Sequence, residues 1–133
     1  MQVTKVSAGP AISSISAGFP SPADDFTELS ISLDQHLIQN PTATFMVYAN
    51  GNSMLHAGIH HDDILIIDRS LNARNGDIII AVLYGEFTVK QLSIIDNTFF
   101  LTTKNPQYSP VQISTEKDFE VWGIVPHSIR KQR

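Results

Sequence analysis

Phe45-Met46-Val47-Tyr48-Ala49-Asn50-Gly51-Asn52-Ser53-Met54-Leu55 is a β-forming run that breaks abruptly into a turn. Phe45 to Ala49 favours a strand, and Asn50-Gly51-Asn52 supplies residues that tolerate positive φ. The strand is therefore expected to end in a tight corner with Ser53 on its outer side. A serine on such a corner is exposed, and the backbone N–H groups around it are free to donate. Acyl transfer requires an accessible nucleophile and donors for the developing oxyanion. The same four residues are also the composition of an ordinary surface turn, so this stretch alone leaves both readings open.

A second stretch, Glu86-Phe-Thr-Val-Lys-Gln-Leu92, adds a chemical partner. Side chains alternate along a strand, so Thr88, Lys90 and Leu92 share one face and Phe87 and Val89 the other. Both faces carry apolar residues, which predicts a partly buried Lys90. A desolvated lysine without a carboxylate partner gives up its proton more readily, and a neutral amine can serve a serine as general base. A lysine on the solvent face of a hairpin is the competing reading.

Outward from these two stretches the pattern is nearly all strand. Thr44–Asn50, Asp63–Asp68, Asp77–Tyr84, Glu86–Ser93, Thr98–Thr103 and Phe119–Val125 read as strands, with a short one at Val111–Ser114. Asn75-Gly76, Gly85 and Asp96-Asn97 supply the turns. Ser32-Leu-Asp-Gln35 has the form of a capping box and opens a helix of about two turns, with Leu33, Leu37 and Ile38 on one face and Asn40-Pro41 at its end. The predicted fold is mostly β, closed or nearly closed, with one short helix. Residues 1–23, rich in Ser, Ala, Gly and Pro, read as a flexible N-terminal arm, and residues 24–133 as the β domain. Two Ala-Gly steps lie in the arm, Ala8-Gly9 and Ala17-Gly18.

Composition excludes several functions. The 133 residues suffice for one core; 42% are hydrophobic and 17% charged, the profile of a globular domain. A formal charge of −4, with Arg130-Lys131-Gln132-Arg133 as the sole basic cluster, argues against direct DNA binding. The absence of cysteine removes disulfides, thiolate nucleophiles and cysteine-ligated metal. The longest apolar run, Ile78–Tyr84, is far short of the roughly 20 residues that span a bilayer, and the N-terminus lacks the apolar stretch of a signal peptide. A soluble, cytoplasmic protein without membrane segment or cofactor is expected.

His56-Ala-Gly-Ile-His60-His61-Asp62-Asp63 groups five potential metal ligands. Gly58 interrupts any helical ligand spacing, and Asp62-Asp63 reads better as a solvated turn. A Ser53–His–Asp triad using His56 or His127 is a further possibility, but Leu55 stands where a nucleophile elbow requires glycine.

Read in order, Gly51-Asn-Ser-Met54, Gly58-Ile-x-x-Asp-Asp-Ile-Leu-Ile-Ile-Asp68, Asn75-Gly-Asp-Ile-Ile-Ile80 and Gly85-Glu-Phe-Thr-Val-Lys-Gln-Leu92 resemble the LexA/UmuD family of self-cleaving serine peptidases. The resemblance extends from Gly18 to Val125 and includes Gly18-Phe-Pro-Ser-Pro-Ala23 and Leu37-Ile-Gln-Asn-Pro41. It is strongest for the UmuD-like branch, which lacks the repressors' N-terminal DNA-binding domain. It implies a LexA-like peptidase β fold, Ser53 as nucleophile, Lys90 as general base, and an oxyanion hole formed by the N–H of Ser53 with that of a neighbour. It also implies self-cleavage between Ala17 and Gly18, a homodimer, stimulation by a RecA–single-stranded-DNA filament in the SOS response, and a UmuC-like Y-family DNA polymerase as partner in translesion synthesis. Two positions depart from the pattern: Asn52, where the family often has Asp or Met, and Ala17, where UmuD carries Cys. A non-catalytic β module regulating a polymerase or repressor is the alternative, and would carry an exposed Lys90 and an uncut arm. A signal-peptidase-like enzyme shares Ser–Lys chemistry but calls for a membrane segment.

Overall fold

A computed structural model describes residues 32–113 and 119–133. The chain divides into two compact units at Gln39/Asn40. The boundary expected at residues 23 and 24, and the Ala17-Gly18 bond, lie outside the described residues. In the first unit, helix α1 spans Leu33–Leu37, shorter than the two turns expected. Ser32 occupies the N-cap position, yet its hydroxyl turns to the Asp34 carboxylate instead of capping the backbone. The capping box thus yields to a local Ser–Asp pair.

The second unit is a seven-stranded antiparallel sheet: β1 Thr44–Tyr48, β2 Ile64–Asp68, β3 Ile78–Leu83, β4 Glu86–Ile95, β5 Thr98–Thr102, β6 Val111–Ile113 and β7 Phe119–Ile129. The order is β1-β2-β7-β3-β4-β5-β6. All the expected strands form. The ladder runs from β1 to β6, which among the described residues do not pair with each other, in keeping with the mostly β, closed or nearly closed fold expected. Turn spacing counts strands but carries no information on which edges meet. β3–β4 and β4–β5 are hairpins whose turn residues, Tyr84-Gly85 and Asp96-Asn97, all have positive φ, as two-residue primed turns demand.

β2 and β3 are continuous apolar runs because both sheet faces are covered. One face carries Ala49, Met54, Ile59, Leu65, Ile67, Ile80 and Val125; the other carries Ile79, Ala81, Leu92, Leu101 and Ile124. β7 runs on through Pro126 to Ile129, past the Val125 at which the sequence pattern stops. Its register against β2 shifts between Ile66 and Asp68, opposite the Val125-Pro126 segment. A proline is tolerated at such an irregularity because the ladder does not require its missing N–H there.

β7 also contains Gly123, which pairs with Ile80 beside a second register shift. A Cβ there would stand 2.5 Å from Ile67 Cγ2, a buried side chain that is only 1% exposed. Gly123→Ala should therefore cost about 1–3 kcal/mol through overpacking. Urea unfolding checks this, and an unchanged midpoint would show that Ile67 can move aside.

Candidate active site

The corner that follows β1 is built by reciprocal bonding to the turn that precedes β2. Ala49 N–H donates to the Asp63 carbonyl and Asp62 N–H to the Ala49 carbonyl, both at 2.8 Å. Gly51 takes φ +94°, the left-handed conformation expected of it, while Asn50 and Asn52 need no positive φ. The Gly51 N–H donates to His61 Nδ1 at 2.8 Å, and His61 N–H donates to Asn52 Oδ1 at 3.0 Å. Met54 is buried in the core, and a 3-10 turn, Leu55–Ala57, continues the chain. Ser53, between the pinned corner and the buried Met54, is exposed. Among the described residues, the N–H groups of Asn52, Ser53 and Met54 donate to no protein acceptor.

β4 brings in Lys90 from a distant part of the chain. It pairs with Ile79, and Thr88 with Ala81, so both side chains lie on the sheet face that carries Leu92 and Leu101. Lys90 is half-buried. A cavity of about 510 Å³ is lined by Ser53 and Lys90 together with Asn52, Leu83, Leu101 and Tyr108. A second, of about 460 Å³, is also lined by Ser53, with Val47, Phe87, Val89 and Trp122 in its wall. Ser53 thus borders both cavities, and Lys90 one of them. Among the described residues no hydrogen bond joins Ser53 to Lys90 or Thr88 to Lys90, and no carboxylate pairs with Lys90. Neither cavity has a histidine in its wall: His56 is exposed on the 3-10 turn, and His127 lies in β7 opposite Ile66.

The pair Asp62-Asp63, expected as a solvated turn, divides. Asp62 is exposed at φ +68°, whereas Asp63 is 1% exposed. Arg130 Nε lies 3.0 Å from Asp63 Oδ1, its second nitrogen 3.1 Å from Oδ2, and His60 N–H adds a bond of 2.8 Å. The Arg130 hydrogen bond holds the Asp63 carboxyl below its ordinary range, against the opposing effect of burial and with help from His60. Arg130 also donates to the Gly58 carbonyl at 2.6 Å. This residue of the apparent basic tail is therefore structural. At Asp68 burial pushes the carboxyl up, but donors from Ser70 and Asn40 outweigh it and hold the group low. Sequence reading missed both carboxylates; their positions at the two ends of β2 were visible, their partners were not.

No helix among the described residues is long and apolar enough to cross a membrane. The Peptidase S24-like family model matches residues 10–126. The chain is 37% identical over 116 residues to protein MucA of Salmonella typhimurium, covering 86% of this chain and 79% of that protein. It is 39% identical over 123 residues to protein ImpA of Escherichia coli, covering 88% and 79%. The LexA repressor of Bordetella parapertussis is 34% identical over 123 residues, covering 92% of this chain and 56% of the repressor. With the mostly β fold described above, these matches show that the chain belongs to the Peptidase S24-like family, as a UmuD-like member of the LexA/UmuD self-cleaving serine peptidases.

Proposed function

We propose that this protein cuts its own chain between Ala17 and Gly18 with a Ser53–Lys90 dyad, and that the trimmed form serves an error-prone polymerase in SOS mutagenesis. The observation that supports this reading most is the shared cavity: Ser53 and Lys90, far apart in sequence, line one cavity of about 510 Å³. In the proposed reaction neutral Lys90 takes the Ser53 Oγ proton as the oxygen attacks the Ala17 carbonyl carbon. The N–H of Ser53 and of a neighbour receive the developing oxyanion. Lys90 then returns the proton to the Gly18 amine as the C–N bond breaks, leaving an acyl-Ser53 that water hydrolyses. Because the bond to be cut belongs to the same chain, its effective concentration is high. A half-buried Lys90 that lines the same cavity as an exposed serine supports the catalytic reading over that of a module that only binds.

On this reading the protein acts as a homodimer, a RecA–single-stranded-DNA filament favours the cleavable state without supplying a catalytic group, and a UmuC-like Y-family polymerase takes up the product. The UmuD-like relationship supports that SOS context. Incubation with an active filament, followed by N-terminal sequencing, tests the assignment. The expected fragment begins Gly18-Phe19; a fragment beginning Gly9, or no cut under any condition, would refute it.

The base can be tested without the filament. With a lysine as general base, cleavage should be slow near neutrality and faster in alkali. A histidine base would instead give a rise near about pH 6.5 and a plateau soon after. Rates measured across this range, with circular dichroism to confirm the fold, separate the two; a plateau by about pH 7.5 sinks the lysine mechanism.

A further inference from the structure

Resting on that peptidase reading, we infer that His61 is the positioning residue of the nucleophile corner and acts through its Nδ1 as an acceptor, without touching the reacting atoms. Two bonds close a ring between His61 and the residues just before Ser53. Gly51 N–H donates to His61 Nδ1 at 2.8 Å, and His61 N–H donates to Asn52 Oδ1 at 3.0 Å. An accepting Nδ1 requires the ring proton to sit on Nε2, and Nε2 lies 3.3 Å from Asp62 Oδ1. The Asp62 carboxylate thus stands on the Nε2 side of the ring.

The ring is not free-standing. Asp63 accepts from His60 N–H at 2.8 Å and is clasped by Arg130, so the turn that carries His61 is tied to the end of β7. Rigidity passes from this buried ion pair to His61 and from His61 to Gly51-Asn52. Without Nδ1, the Gly51 N–H keeps no side-chain acceptor, and the left-handed corner that leads to Ser53 retains the bond from the residue-61 N–H to Asn52 Oδ1 and its backbone bonds. A nucleophile displaced by about 1 Å can lose on the order of a hundredfold in rate, so loosening here should appear in cleavage before it appears in global stability.

Two full-chain variants distinguish an acceptor from a space-filler. In His61→Leu the ring volume is approximated but the acceptor is lost; in His61→Asn the amide oxygen stands where Nδ1 was. His61→Leu should slow filament-stimulated cleavage by at least about tenfold and speed amide hydrogen exchange at Gly51, with a melting temperature close to the parent's. His61→Asn should restore both readouts to within about threefold of the parent, since one acceptor replaces another. Parent-like cleavage by His61→Leu, or an equal loss in His61→Asn, would overturn the inference. If the parent itself is never cut, the peptidase reading fails separately. Gly51 exchange then still decides the clamp, and unchanged exchange in His61→Leu overturns it.

Discussion

Ser53→Ala should leave the chain uncut under every condition in which the parent cleaves, with unfolding changed by no more than about 0.5 kcal/mol. Both halves of this expectation follow from position. Ser53 is exposed, its hydroxyl has no bonding partner among the described residues, and the packing beside it is carried by the buried Met54. Removing Oγ deletes the proposed nucleophile and little else. Removing a nucleophile that acts as part of a unit abolishes most of the rate, as expected when one member is useless without the other. Lys90→Ala should therefore stop cleavage as completely as Ser53→Ala, and the double variant should be no worse than either. Its stability need not be untouched, because the half-buried Lys90 lies on the sheet face that holds Leu92. Mass spectrometry of filament-treated samples reads the cut and chemical denaturation reads the fold. A Ser53→Ala chain that still yields a fragment beginning at Gly18 would remove Ser53 from the mechanism.

Arg130→Ala should lower stability by about 2–3 kcal/mol at neutral pH. Asp63 is 1% exposed and would keep its charge with only the His60 N–H as a remaining donor. The figure is set at the low end for breaking a buried pair because the Arg130 side chain is 36% exposed and partly screened by solvent. For a domain of this size the change corresponds to a fall of roughly 10 °C in melting temperature.

The loss should also depend on pH with a definite sign. The folded Asp63 carboxyl is held below its ordinary 3.8, so the stabilisation is fully present above that value and is lost as pH falls through the folded pKa. Asp68, also held low, acts in the same direction. Parent and Arg130→Ala should therefore differ most near pH 7 and converge as the medium is taken below about pH 4. Thermal melts at the two pH values check this. A gap that stays constant would mean that Arg130 contributes through packing and the Gly58 carbonyl, without its charge.

What the sequence by itself determined was local and periodic. Alternating and continuous apolar runs located all seven strands, because side-chain period and turn residues are set by neighbours a few positions away. Gly51 announced the corner for the same reason: only a residue without Cβ adopts φ +94° freely. Ser53 and Lys90 stood out because their chemistry and spacing match a family's motifs, and their half-buried and exposed environments followed from strand alternation and turn position.

Tertiary structure alone decided which distant residues meet. Nothing in the run Val121–Arg133 shows that β7 inserts between β2 and β3, that it passes Pro126 at a register shift, or that Arg130 is thereby carried to Asp63. A charge beside a strand end looks the same in sequence whether it meets water or a partner 67 positions away. The same holds for His61, read from its neighbours as a weak metal ligand and placed by the fold as an acceptor for Gly51. Periodicity reports which way a side chain points; only the long-range pairing of the sheet reports what stands there to receive it.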